Sequence, residues 1–283
     1  MGRGRYTPWN ALCGNNLYSR ERDGWEEAMR AVAKLIVALS LGAFGFLPQS
    51  PAFAADLVIL SNQGAVPGLK EIAAAFTRMS GHKVTVVLAE GDLLQQRLAA
   101  GTVDLVSQNP GPMEELVKAG KIVRETVTPF QLAELGVAVK AGAPKPDIGT
   151  PAAYRAALLA AKTIGYSRGC SGTNIGASIA QLGLTEQLKA KTKFTGDGGG
   201  PVTDYLKRGD FELGLQQSNI MAGVPGVDFV GPIPAPLNKP CQSNLGVAKT
   251  SKEPAAARDL IRFATSPAAA PLLRKTHAEP FKP

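Results

Sequence analysis

Short apolar runs alternate with segments of helical period along most of this chain. The runs at 57–60 and 84–88 are short and aliphatic, which predicts buried strands. Each is followed by a segment whose apolar residues share one helical face and which ends at glycine, Gly81 in the first case and Gly101 in the second. With a third run at 103–106, this order predicts a parallel sheet with right-handed crossovers.

A second alternating series follows the first. The run at 131–140 predicts one long strand. Thr150-Pro151 predicts the start of a helix, because threonine caps a helix and proline suits its first position. Further strands are expected at 163–166 and 211–215. The chain is therefore expected to be an α/β protein built from two such units.

Polar or glycine-rich loops follow the carboxyl ends of the predicted strands. In open parallel sheets ligands bind outside these ends, and helix N-termini there offer unpaired N–H groups to anions. We therefore expect loops from both units to meet at one ligand cleft. The loops lie at 61–64, 90–92, 107–111, 167–173 and 195–200.

The segment 29–54 has the three parts of a secretory signal peptide. Arg30 and Lys34 supply positive charge, 35–47 is an apolar core, and small residues end the segment at Ala54. The apolar core is shorter than the roughly 18–20 residues that span a bilayer, which argues against a membrane anchor. We predict cleavage after Ala54 and a periplasmic product.

The residues before this segment, 1–28, have charges but no apolar period. They are interpreted either as the result of a start assigned too early, with Met29 the true start, or as a disordered extension. The whole chain has a formal net charge of +8, with its basic residues scattered rather than clustered with aromatics. This distribution argues against a nucleic-acid partner and weakly favours an anionic ligand.

Cysteine and histidine are scarce beyond residue 54. Cys170 and Cys241 either pair in an oxidising compartment or stay separate buried thiols. The chain has two histidines, His82 and His277, and no CxxC motif or His/Cys cluster. We therefore expect no metal site, no cofactor and no histidine-based catalytic site.

Several segments, taken in order, carry a family resemblance: DLVILS at 56–61, ELVKAGK at 115–121, GVAVKAGAPKPDI at 136–148, GGGPV at 198–202 and GLQQ at 214–217. In these the chain resembles the periplasmic molybdate-binding proteins and their wider group. The resemblance implies a type II periplasmic binding fold, in which two α/β lobes enclose a ligand cleft and are joined by two crossing segments. It also implies a monomer that delivers its ligand to a membrane permease of the ABC type.

The same resemblance implies where the lobes divide. Lobe I is expected at 55–134 and 244–283, and lobe II at 135–243. The crossings between them are expected near Leu135 and Asn244.

The chain departs from this family at two of its cleft loops. A Ser-rich turn of the family is replaced by Glu90-Gly91-Asp92, and the third loop is amide-rich at 107–109. Each carboxylate would oppose a bound dianion by roughly 1–4 kcal/mol near a protein surface. We therefore expect a small polar or anionic solute, organic acid-like or oxyanionic, with molybdate or tungstate as the alternative.

The candidates for ligand contact follow the predicted strands or begin helices. Arg168 suits a carboxylate that it can hold with two hydrogen bonds. Each candidate has a structural alternative as well, such as helix capping for Asp92 or turn formation beside Asn109-Pro110. The candidates are Ser61, Asn62, Gln63, Asp92, Gln108, Arg168, Ser171, Thr173, Gln217 and Asn219.

Three classes of function are compatible with this pattern. The first is the solute-binding component of an ABC-type transporter, and the second is a ligand sensor for a membrane receptor. The third is an exported enzyme, since Ser171 lies in a Gly-Cys-Ser-Gly turn. A nucleophilic serine needs a base, and both histidines lie elsewhere in the chain, so we expect no catalytic residues and no enzyme.

Overall fold

The computed structural model describes residues 54–196 and 200–282. The predicted signal peptide lies outside these residues apart from Ala54, as do residues 1–28. None of the helices in the described part combines the length and the apolarity that a bilayer crossing requires.

The strands of the described part form two sheets. In chain order they are β1 (Asp56–Ser61), β2 (Lys83–Leu88), β3 (Leu105–Gln108), β4 (Thr128–Ala133), β5 (Leu135–Lys140), β6 (Ile164–Tyr166), β7 (Thr192–Phe194), β8 (Leu213–Gln217), β9 (Val227–Pro232), β10 (Cys241–Val247) and β11 (Glu279–Pro280).

Helices cover the faces of both sheets. In chain order they are α1 (Val66–Ser80), α2 (Gly91–Ala99), α3 (Pro110–Lys118), α4 (Pro151–Ala160), α5 (Cys170–Gln181), α6 (Thr185–Leu188), α7 (Val202–Arg208), α8 (Ser218–Met221), α9 (Pro254–Ala264) and α10 (Ala270–Lys275).

The first sheet forms lobe I. Its strand order is β11-β4-β10-β3-β1-β2, with β1 parallel to both β2 and β3 and with β10 antiparallel to β3 and β4. Helices α1, α9 and α10 pack on one face around a shared apolar cluster. Because β1, β2 and β3 run the same way, their carboxyl ends meet at one edge.

Helix α1 shows how sequence determines this packing. Leu69, Ile72 and Phe76 lie on its buried face, as their spacing predicts. Burial of each contributes about 1.5–3 kcal/mol relative to exposure. The helix ends at Gly81, whose φ of 78° lies in the left-handed region that glycine adopts without strain.

The second sheet forms lobe II. Its order is β7-β6-β8-β5-β9, with β6 parallel to β7 and β8 and with β5 antiparallel to β8 and β9. Helix α4 begins as predicted, with the hydroxyl oxygen of Thr150 accepting a hydrogen bond from the Ala153 N–H at 3.1 Å. Its Tyr154 and Leu158 are fully buried against the sheet.

The chain passes between the two sheets twice. The predicted long strand at 131–140 is in fact two strands, because β4 belongs to lobe I, β5 belongs to lobe II, and Glu134 lies between them. The chain returns over 233–240. The predicted second crossing, at Asn244, falls inside β10, because the pairing of β10 with β4 begins at Cys241.

Replacement of Gly165 by alanine should destabilise lobe II. A Cβ at this position would lie 1.9 Å from Cδ2 of Phe211, so the ring would have to move. Overpacking of this kind costs about 1–3 kcal/mol, and each kcal/mol lowers Tm by about 2–4 °C in a protein of this size. Thermal denaturation measures the change.

Gly176→Ala is the matched control for this substitution. No atom outside its own helix turn lies within 4 Å of a Cβ there, and alanine is the better helix former, so Tm should stay equal or rise. If Gly165→Ala left Tm as high as this control, the contact between Gly165 and Phe211 would not limit the packing of lobe II.

Candidate functional site

A cleft of about 540 Å³ lies between the lobes, at the carboxyl ends of strands from both sheets. Its volume is in the usual range of small-molecule sites, about 300–1,000 Å³. Lobe I contributes residues 62–64, 90–93 and 109, and lobe II contributes 167–171, 195, 196, 216 and 217. Residues 197–199, which follow this wall in sequence, are not among the described residues.

The N-terminus of α5 forms one end of the cleft. Gly169 occupies the capping position and has no side chain to accept the first N–H groups of the helix, while Cys170 and Ser171 line the cleft directly. These first N–H groups have no partner within the helix and carry its positive dipole. An oxyanion or a carboxylate is therefore stabilised at this end.

Arg168 adds a full positive charge beside this helix end. Its guanidinium carbon lies 4.5 Å from the centroid of the Phe194 ring, a cation–π contact worth about 0.5–1 kcal/mol at an exposed site. Phe194 packs edge-on against Tyr166. Burial raises the pKa of the Tyr166 hydroxyl, so the side chain that supports Phe194 stays uncharged. Among the described residues, no carboxylate forms a salt bridge with Arg168. A guanidinium can hold a carboxylate with two hydrogen bonds.

Two serine hydroxyls accompany this positive end. The Oγ atoms of Ser167 and Ser171 lie 2.8 Å apart, so one donates to the other. Gly172 permits the close turn between them, because a Cβ there would lie 1.8 Å from the carbonyl oxygen of Ser167. The turn therefore places both hydroxyls and the helix N-terminus on one wall.

The opposite wall, in lobe I, is acidic. Glu90 and Asp92 both line the cleft and are exposed, and an Oε1 of Glu90 accepts a hydrogen bond from the Gln63 N–H at 3.2 Å. Asp92 lies in the first turn of α2, where a carboxylate complements the helix dipole. The cleft is therefore bipolar, with donors in lobe II facing acceptors in lobe I.

Asparagine side chains set the loop that follows β1. The Oδ1 of Asn62 accepts the Ala65 N–H at 3.2 Å, and its Nδ2 donates to Oδ1 of Asn109 at 3.1 Å. Asn109 in turn donates to the carbonyl oxygen of Gln242 at 2.7 Å. Asn62 therefore caps the turn after β1 and lines the cleft as well, while Asn109 has a role that its Asn-Pro sequence did not indicate.

Gln216 is a cleft residue that the sequence did not single out. Its Oε1 accepts the Val202 N–H at 2.9 Å, and its Nε2 donates to Oε1 of Gln63 at 3.0 Å, which joins the two lobes. Both glutamines belong to the GLQQ motif at 214–217, but ligand contact was predicted for Gln217 only. At the end of β8 both side chains reach the cleft, although side chains alternate along a strand.

The structure brings six of the predicted contact residues to the cleft wall and places the other four elsewhere. Lining the cleft are Asn62, Gln63, Asp92, Arg168, Ser171 and Gln217.

Each of the other four has an identifiable location. Ser61 is buried and its Oγ donates to the carbonyl oxygen of Asn62 at 2.9 Å. Asn219 is buried and donates to the carbonyl oxygen of Gly64 at 2.7 Å. Thr173 is exposed on α5, and Gln108 lines a neighbouring cavity of about 910 Å³ against α2 and α3.

A disulfide anchors the positive end of the cleft. Cys170, the first residue of α5, is bonded to Cys241, the first residue of β10, with 6.1 Å between their Cα atoms. Asn174 of the same helix donates to the carbonyl oxygen of Lys239 at 3.0 Å. The helix N-terminus is therefore fixed to the segment that crosses between the lobes. Among the described residues, no group of His, Cys, Asp and Glu side chains is arranged to hold a metal ion.

Two solved structures share this architecture. One is the substrate-binding domain of a putative molybdenum ABC transporter from Clostridium difficile, with a TM-score of 0.63 and 18% identity over 81% of this chain and 100% of that one. The other is the periplasmic molybdate-binding protein of Azotobacter vinelandii, with a TM-score of 0.62 and 18% identity over 80% of this chain and 99% of that one. The fold is therefore the predicted type II periplasmic binding fold with two lobes.

Residues 57–278 match the family of bacterial extracellular solute-binding proteins, and the chain belongs to that family. The resemblance to molybdate-binding-like proteins noted in the sequence is thereby confirmed. An aconitate isomerase from a Pseudomonas species is also similar, at 30% identity over 253 residues, which cover 86% of this chain and 95% of that protein.

Loss of the disulfide should lower stability. It closes a loop with a sequence separation of 71 residues, and removal of a native disulfide costs about 2–5 kcal/mol. The double variant C170A/C241A should unfold at lower urea concentration than the wild type. A reductant should lower the stability of the wild type by a similar amount and leave the double variant unchanged. Equal urea midpoints for the oxidised wild type and C170A/C241A would contradict a stabilising role of the disulfide.

Proposed function

We propose that this chain is the extracytoplasmic solute-binding component of an ABC-type transporter and that its ligand is a small organic acid with more than one polar group. The bipolar cleft carries this proposal: a positive helix end and Arg168 on one wall face Glu90 and Asp92 on the other. The family membership and the signal-peptide pattern at 29–54 support capture outside the cytoplasm.

A carboxylate fits the positive wall. Two oxygens can take hydrogen bonds from the first N–H groups of α5, from Ser171 and from the paired donors of Arg168. The remainder of an organic acid would extend toward lobe I. Hydroxyl or protonated groups on that remainder would donate to Glu90 and Asp92 rather than be repelled by them.

A bare tetrahedral dianion fits this cleft less well. Within lobe I it would face the Glu90 and Asp92 carboxylates with no donor group of its own to offer them. Their repulsion would reduce the affinity gained at Arg168 and α5. We therefore place molybdate and tungstate behind organic acids as ligands, although the Azotobacter vinelandii protein of the same fold is a molybdate-binding protein.

A second candidate function is the isomerisation of an unsaturated tricarboxylic acid. The similar Pseudomonas protein is named an aconitate isomerase, and the cleft contains a carboxylate suited to proton transfer. Glu90 uses one oxygen to accept the Gln63 N–H, and its other oxygen has no partner among the described residues. It would take a proton from the methylene carbon and return it to the former alkene carbon as the double bond moves, with no net oxidation.

Binding should depend on Arg168. Isothermal titration of the purified protein with tricarballylate, citrate, trans-aconitate and molybdate should show saturable binding of at least one tricarboxylate, strongest for citrate, whose hydroxyl group can donate to Glu90 or Asp92, and weaker or no binding of molybdate. Arg168→Met should weaken tricarboxylate binding about 10- to 100-fold, because a hydrogen bond to a charged group contributes about 1.5–3 kcal/mol.

Arg155→Met is the control, since Arg155 is exposed on α4 and lies outside the cleft walls. It should bind like the wild type. If molybdate bound at micromolar concentration and the tricarboxylates did not, the proposed ligand class would be wrong.

Proton exchange separates the two candidate functions. We expect cis-aconitate in D₂O to remain unchanged by ¹H NMR when the wild-type protein is added, because a binding protein has no need to transfer protons. Appearance of deuterated trans-aconitate, abolished by Glu90→Gln but not by Asp92→Asn, would replace transport by isomerisation. Both variants keep the size of the side chain, so tricarballylate binding would show that the cleft remains formed.

A further inference from the structure

We propose that Gln216 fixes the hydrogen-bond polarity of the cleft, so that it and Gln63 both present N–H donors to the ligand. This inference rests on the proposed function, since it states which ligand atoms the same cleft selects. The atoms selected are acceptors, namely the oxygens of a carboxylate or a carbonyl group. Gln216 is thereby assigned as a specificity-determining residue.

The orientation of the Gln216 amide follows from its buried partner. Val202 is the first residue of α7, and its N–H points to Oε1 of Gln216 at 2.9 Å. Only the oxygen of a side-chain amide can accept from an N–H group. Gln216 is 1% exposed, so reversal of its amide would bury two donors against each other. Its NH₂ group therefore faces the cleft.

Gln63 takes its orientation from Gln216. The Nε2 of Gln216 donates to Oε1 of Gln63 at 3.0 Å, across 153 residues of sequence and from one lobe to the other. Because the oxygen of Gln63 is engaged in this bond, its own NH₂ group is directed elsewhere. Both side chains line the cleft. The Val202 N–H therefore determines the orientation of the Gln216 amide directly and that of the Gln63 amide through Gln216.

Gln217 provides the contrast. It also lines the cleft, yet its side-chain amide makes no hydrogen bond to a described residue that would determine which end is the oxygen. Gln217 can therefore turn to suit a donor or an acceptor. Gln216 cannot, because a ligand donor at that position would leave the amide N–H groups without a partner.

A ligand oxygen would enter this arrangement without disturbing it. The oxygen would accept the second N–H of the Gln216 NH₂ group, while the bonds from the Val202 N–H and to Oε1 of Gln63 stay in place. Ligands that present an ammonium or hydroxyl donor at this point are disfavoured, even though the Glu90 wall accepts such groups.

Gln216→Glu tests the inference with almost no change of shape. One carboxylate oxygen would still accept the Val202 N–H at the start of α7, so this helix keeps its acceptor, while burial of the new charge should lower Tm. The other oxygen replaces the NH₂ donor, and tricarballylate binding measured by calorimetry should weaken at least 100-fold. Gln216→Met, which loses the Val202 contact, should lower Tm and weaken binding less than Gln216→Glu.

Two further variants separate polarity from charge. Gln217→Glu places the same charge one residue further along the same wall, and it should weaken binding by a smaller factor than Gln216→Glu. Gln96→Glu adds the charge on an exposed position of α2 outside the cleft and should bind like the wild type. Equal losses for Gln216→Glu and Gln217→Glu would show that charge alone acts, and the inference would be overturned.

A measurement on the ligand-free protein distinguishes this inference from the proposed function. In Gln216→Glu the Gln63 amide should turn its NH₂ group toward the new carboxylate, which shifts its side-chain ¹H–¹⁵N resonances downfield and slows their exchange. Unchanged Gln63 resonances would overturn the inference. If the wild type bound no tricarboxylate, the proposed function would fail, and these resonances would still decide whether Gln216 fixes the polarity of Gln63.

Discussion

The carbonyl oxygen of Gly64 is the point on which the cleft depends. It accepts a hydrogen bond from Nε2 of Gln131 in lobe I at 3.0 Å and from Nδ2 of Asn219 in lobe II at 2.7 Å. Gln131 and Asn219 are both buried, so these bonds are shielded from water and costly to break. They hold the loop after β1 against both sheets, and they thereby set the distance between the two walls that a ligand must bridge.

The remaining polar contacts of the cleft build outward from this junction. Next to Gly64, the Gln63 N–H is held by Glu90 and the Gln63 side chain by Gln216, so one residue touches the acidic wall and the donor wall. The disulfide from Cys170 fixes the far end of the donor wall to Cys241, the first residue of β10 in lobe I. Both walls are therefore positioned by contacts that do not involve a ligand, which lowers the ordering cost of binding.

The elements and their loops could be predicted from sequence because their signals are local. The buried face of α1, its end at Gly81 and the start of α4 at Thr150 each follow from residues within one or two helical turns. The split of 131–140 could not be predicted, since an extended apolar run has the same period whether it stays in one sheet or crosses to another.

The orientation of the side-chain amides could not be predicted from the sequence either. Asn219 was expected to contact ligand because it follows a strand, but its partner is Gly64, 155 residues away. Gln216 was not among the predicted ligand contacts, although its bonds with Val202 and Gln63 fix its NH₂ group as a donor. Sequence patterns place such residues at a strand end, and only tertiary contacts determine which way a symmetric-looking amide points.

Fold alone does not separate a carrier of organic acids from an isomerase of them. Both need the carboxylate end supplied by α5 and Arg168, and both would have the same two lobes. The difference lies on the lobe I wall, in whether the unengaged oxygen of Glu90 meets a ligand hydroxyl or a carbon-bound proton. The N-terminus of α5 and Arg168 would hold one carboxylate of the ligand, so the position of its remainder relative to Glu90 follows from its length. A saturated acid would only be bound there, whereas an unsaturated acid with an acidic methylene group at that distance could react.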